Sequence, residues 1–264
     1  MAAPALIILS HGSLDVSVAA VSHHLRYGLQ TIRPSLEVNA AFVDHCPPTA
    51  LQVVAHLAGR GVGEIVFVPL QLSSVADHDP VIDVVVEKVR TAHPSIRCVI
   101  SRPLGPEACL LKPLDERIRS ALGTAHATEI DGLVLFAEGP SDIRGLGMLA
   151  RRARQWGAHH RLPCVLAMSD GSSPNVAAAI ESLNSQGRRH IAVGSFYLAP
   201  DQEFEAQARL ALRHGAIAVS APIGVDDTVL DLILARYAFA AMDMLDNAED
   251  SEEPPVSVSV QGHR

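Results

Sequence analysis

The sequence predicts an α/β protein of two tandem, doubly wound, mainly parallel four-stranded half-domains with a flavodoxin-like strand order, related by internal duplication. Three observations predict it. Short apolar runs rich in Val and Ile alternate with amphipathic stretches, the pattern of parallel strands buried on both faces under helices. The alternation restarts after residue 129 and repeats the earlier residues in order. Hydrophobic residues make up 48% of the 264, enough to fill a core in each half.

In the first half, the continuous apolar runs predict strands over residues 6–10, 38–43, 65–70 and 98–103. Helical patterns lie between and after them, over 16–32, 48–59, 80–92 and 107–122. Right-handed crossovers joining such steps give an open sheet. The segment GTAHATE, 123–129, is small and polar and reads as a linker. Beyond it LVLFAEGPSD from Leu133 answers LIILSHGSLD from Leu6. Residues 173–200 answer 47–74 at a constant offset of 126, and SAPIG from Ser220 answers SRPLG from Ser101. The expected boundaries are 1–124 and 130–245, with an acidic, Pro-containing, disordered tail over 246–264.

Composition narrows function. The net charge is −8 and no Lys/Arg block interrupts the chain, which argues against nucleic acid as a partner. No apolar run approaches the roughly 18 residues of a membrane span, and the first ten residues lack the basic region of a signal peptide, so a cytoplasmic protein is expected. Cys46, Cys98, Cys109 and Cys164 are scattered, as reduced thiols are.

Ligands of open parallel sheets sit outside the carboxyl ends of the strands. His11 follows the first strand, Asp44 the second, and His78 lies in the loop after the third. In an order beginning 2-1-3, with strands about 4.8 Å apart, these side chains are expected to converge. Two imidazoles and a carboxylate suit Fe, Co, Ni or Zn and leave positions open. Each has a plainer alternative. His11, in Ser-His-Gly-Ser, can simply cap its strand. His78, in Asp-His-Asp-Pro, can belong to a helix start with capping aspartates and Pro80 in the first turn. Asp44 can serve the next helix instead of a metal. His45 and Cys46 are set aside, because adjacent residues point in different directions. His23, His24, His159 and His160 read as solvated residues of amphipathic helices.

SHGSLD at Ser10, the FVD…PPTA stretch from Phe42, VPLQLSSVADH ending at His78 and the RPLGP turn at Arg102 together resemble the sirohydrochlorin chelatases and anaerobic cobaltochelatases of the class II, ATP-independent type, over residues 5–240. The resemblance implies insertion of Co²⁺ or Fe²⁺ into sirohydrochlorin, without ATP, in the cobalamin or sirohaem branch. It implies that His11 and His78 are the active-site histidines, as metal ligand and proton acceptor, and that Asp44 stands where many members have glutamate. It also implies a two-domain long form whose second half imitates a partner subunit, so that a monomer is expected and a homodimer is the alternative. The chain departs from the pattern in three places. The loop before His78 reads as one residue longer, with Val75-Ala76-Asp77 where glycine and an aromatic are common. Glu138 replaces the histidine in the second half, and Phe204 stands opposite His78. That half is therefore expected to form a cleft wall and not a second site. The carboxylates of the macrocycle call for cations such as Lys88 or Arg102, or for helix N-termini. Two other classes stay open: a non-catalytic tetrapyrrole- or metal-binding protein, and a metal-dependent oxygenase or hydrolase using the same residues.

Overall fold

A computed structural model describes residues 3–13 and 15–249. The first half runs β1 Ala5–Ser10, α1 Val16–Ile32, β2 Val38–Phe42, α2 Ala50–Gly59, β3 Glu64–Pro69, α3 Pro80–Ala92, β4 Arg97–Ile100 and α4 Leu111–Thr124. The second runs β5 Gly132–Ala137, α5 Ile143–His160, β6 Cys164–Met168, α6 Val176–Ser185, β7 Ile191–Phe196, α7 Gln202–Arg213, β8 Ala216–Val219 and α8 Asp227–Glu249. Both sheets are parallel, in the orders β2-β1-β3-β4 and β6-β5-β7-β8. The central strands β1 and β5 carry the most continuous apolar runs because helices cover both of their faces.

Local chemistry sets the boundaries. Asp15, Thr49 and Asp79 cap α1, α2 and α3, each side chain accepting from a backbone N–H of the first turn. Thr49 and Gln52 complete a capping box, so α2 starts at Ala50 and not at Pro48. Strand β4 ends at Ile100, short of the expected 103: Ser101 N–H still bonds the Phe67 carbonyl, but Pro103 has no donor to continue the ladder. Helix α8 reaches Glu249, past the boundary placed at Asp246; residues 250–264 lie outside the described residues. Among the described residues no helix is long and apolar enough to cross a membrane.

The halves are not separate bodies. One apolar cluster lies on the outer face of the first sheet and another on that of the second, but the largest contains residues of both halves. Helix α4 packs on β7 and β8, and α8 packs on β3 and β4, so each half lends its last helix to the other's sheet. The exchange is reciprocal in detail. Arg117 of α4 donates to the Ile223 carbonyl beyond β8 (3.0 Å), and Arg236 of α8 donates to the Leu104 carbonyl beyond β4 (2.8 Å). Both residue pairs are related by the 119-residue offset of SRPLG and SAPIG.

Candidate functional site

The carboxyl ends of β1, β3, β5 and β7 open on one cavity of about 1040 Å³ between the halves. His11 stands on its wall, directly after β1. Gly12 lets the chain turn against the β2–α2 loop, where any Cβ would run into the Asp44 carbonyl oxygen. The Gly12 N–H donates to Asp44 Oδ1 (2.8 Å). The His11 ring lies between two carboxylates, with Nδ1 3.8 Å from Asp44 Oδ2 and Nε2 3.4 Å from Asp79 Oδ2. Gln71 Oε1, on the cavity wall, accepts from the Asp79 N–H (3.2 Å). The strand order does bring Asp44 to His11, as expected from the sequence.

It does not bring His78 there. His78 Nε2 sits 2.7 Å from Asp83 Oδ1 on the exposed side of α3. Among the described residues, the cavity lining includes His11 and His45 but not Asp44, Asp79 or His78, and neither His11, Asp44 and His78 nor His11, Asp44 and His45 gather their ligand atoms within 4.8 Å. The carboxylate at the second ring nitrogen of His11 is Asp79, one residue further on. The cause is loop length. The offset between halves is 126 through β3 and β7, yet Asp79, which caps α3, corresponds to Asp201, which caps α7. The loop carrying His78 is therefore four residues longer than its counterpart, and Phe204 corresponds to the buried core residue Ile82, not to His78.

That loop is tied down from the other half. Asp142 Oδ2 accepts from the backbone N–H groups of Val75 (2.8 Å), Ala76 (3.0 Å) and Asp77 (3.2 Å), while Ser74 Oγ accepts from Ser141 N–H (2.7 Å). Burial alone would raise the Asp142 pKa; the donors from Val75, Gly145, Ala76 and Asp77 outweigh it and hold the carboxyl below its ordinary range.

His45, set aside on the sequence, does face the cavity, with Nε2 3.5 Å from Asp44 Oδ2. Its backbone explains the error: at φ 55° it is left-handed, which turns the side chain off the alternation that argument assumed. The equivalent residue of the second half is Gly171, also left-handed at φ 80°. The turn calls for glycine, and the first half carries an imidazole there instead.

The second half contributes Glu138 at the position of His11 and Asp201 at that of Asp79, both lining the same cavity. An imidazole beside a carboxylate is thus replaced by two carboxyl groups. Burial, then the charges of Asp201 and Glu203, push the Glu138 pKa up to about 7. Asp170 repeats Asp44, a correspondence the sequence comparison did not reach. Of the cations expected to meet carboxylates, neither Lys88 nor Arg102 lines the cavity among the described residues; Arg209 does, 3.4 Å from Glu205.

Residues 5–121 match the CbiX family model. No curated protein matches the chain by sequence. Among solved structures, SirB from Bacillus subtilis with Fe³⁺ is similar at a TM-score of 0.74 and 19% identity, covering 92% of this chain and 98% of that one. The sirohydrochlorin chelatase SirB from Bacillus subtilis subspecies spizizenii in complex with cobalt is similar at 0.72 and 17%, covering 92% and 97%. CbiX, described as the terminal enzyme for biosynthesis of siroheme in denitrifying bacteria, is similar at 0.57 and 17%, covering 89% and 99%. The first half thus matches the CbiX family model, and the chain as a whole carries the chelatase fold in its two-lobed form.

Proposed function

We propose that the cavity inserts Co²⁺ or Fe²⁺ into sirohydrochlorin without ATP. The observation that carries the reading is His11: an imidazole lying between two carboxylates, on the wall of a cleft large enough for a tetrapyrrole, in a half that matches the CbiX family model. Metal entry displaces two N–H protons from the macrocycle. A neutral imidazole, with an ordinary pKa near 6.5, suits both holding the metal and taking a proton. We assign His11 and Asp44 to the incoming ion, with His45 on the same carboxylate oxygen as a further nitrogen donor. Few donors and open positions let the ion leave for the macrocycle. Glu138, across the cleft, is a carboxyl that changes protonation near neutrality and is placed to take the second proton. His78 acts from behind, through the loop that holds Asp79. The chain is monomeric in this reading, since the second half supplies the wall that a partner subunit would otherwise give. Cytoplasmic residence follows from the same biosynthetic role.

The test is to follow the absorption of sirohydrochlorin with Co²⁺ or Fe²⁺ in the presence of the purified protein. His11→Ala is expected to lower the rate of insertion about 100-fold or more, the usual worth of a positioned acid–base group, and His78→Ala by less. Macrocycle binding without accelerated insertion would select a non-catalytic binding protein, a reading supported by the altered loop that carries His78 away from the cavity.

A further inference from the structure

We propose that Asp115, His159 and His160 form a second metal site, for a divalent late transition ion, on the seam between the halves and outside the cleft. Helix α4 of the first half supplies Asp115, and the last turn of α5 in the second half supplies both histidines. The Asp115 carboxylate is buried. Its Oδ1 accepts from Trp156 Nε1–H (2.6 Å) and lies 2.8 Å from His160 Nε2; its Oδ2 lies 3.8 Å from His159 Nε2. The three ligand atoms all fall within 4.8 Å of one another, and among the described residues this is the cluster of metal-ligating side chains so gathered.

Several features separate it from an ordinary hydrogen-bond network. One histidine would satisfy the carboxylate, yet the second, exposed on 65% of its side chain, also turns Nε2 toward it. Metal–nitrogen bonds of about 2.0–2.1 Å put tetrahedral ligands roughly 3.4 Å apart, between the two spacings found here, so small rotations complete the set. The Trp156 N–H holds the ligating carboxylate from behind, as outer donors of metal sites do. The carbonyl end of α5 favours positive charge at this place. A cavity of about 670 Å³ bounded by Trp156, His159 and Arg119 gives access and room for water ligands. Arg119, 3.8 Å from Asp115 Oδ2 and largely exposed, can turn out to solvent as the ion arrives. The ion takes up His160 Nε2 and Asp115 in place of their hydrogen bond, any hydrogen on Nε2 leaving to solvent while the ring's Nδ1 carries the other. Two imidazoles and a carboxylate select Zn²⁺, Co²⁺, Ni²⁺ or Cu²⁺ over Mg²⁺ and Ca²⁺, and the bound ion ties α4 to α5.

Trp156 is the one tryptophan of the chain, so its fluorescence reports this site and no other. Tag-free full-length protein is titrated with Co²⁺ or Ni²⁺ alone, whose open shells quench a nearby indole. Saturable quenching is expected, with Zn²⁺ competing for it and raising Tm. His159→Ala should weaken the apparent affinity at least about tenfold, the cost seen even for outer partners of metal ligands. His11→Ala should leave the titration unchanged. Absence of quenching, equal titrations of wild type and His159→Ala, or loss of quenching in His11→Ala would overturn the proposal. No tetrapyrrole enters the measurement, so its failure and that of the cleft reading are distinguishable.

Discussion

At the scale of single residues, the proposed reading has two positions that trade stability for chemistry. His45 occupies a left-handed turn that its repeat fills with Gly171, and a side chain there costs about 1–2 kcal/mol. His45→Gly is therefore expected to stabilise the fold by about 1 kcal/mol in urea titrations while slowing metal insertion; a variant both less stable and fully active would contradict the assignment. Glu138 carries a folded pKa near 7 against an ordinary 4.5, so its cost to stability is absent at pH below 4.5, grows as pH rises from there toward 7 and is constant above it. Glu138→Gln should accordingly match wild type in unfolding free energy at pH 4 and exceed it at pH 8. Sequence reasoning placed His11 beside Asp44 because both follow adjacent strands, whose ends it placed well. It did not foresee His45 facing the cavity, because a backbone sign is not written in residue type. It passed over Glu138 as a lost histidine, because a carboxyl's usefulness here depends on Asp201 and Glu203, which reach it only through the fold.

At the scale of elements, the loop between β3 and α3 matters most. Its four added residues carry His78 out of the cavity and leave Asp79 beside His11. The loop keeps its shape through the carboxylate of Asp142, in the other half. Asp142→Ala leaves three backbone donors without their charged acceptor, at a cost of about 2 kcal/mol. It should speed hydrogen exchange at Val75, Ala76 and Asp77 and lower the insertion rate by displacing Asp79. The Asp142 pKa is depressed in the fold, so this stabilisation is complete above the ordinary aspartate value of 3.8 and is lost as pH falls below it. Strands were legible, since Val/Ile runs act locally, and so was the aspartate cap before Pro80, although the Thr49 cap of α2 was not read. The path of this loop was not, because its anchor lies 67 residues away from Val75.

At the scale of the whole molecule, the duplication was plain in the sequence, while the exchange of α4 and α8 was not. Amphipathic helices show which face is buried but not which sheet receives it. The central cluster and the paired arginines, Arg117 and Arg236, hold the halves together without help from the connecting segment. A protease site built between residues 125 and 131 is expected to yield two fragments that co-elute and retain most of the insertion rate; fragments that separate would contradict the shared core. The same core also decides how a flat guest arrives. Jaws fused at the root have little freedom to swing like a clamshell, so in the proposed reading a flat guest enters edge-on through the open mouth, and any bending is worked against a shared frame.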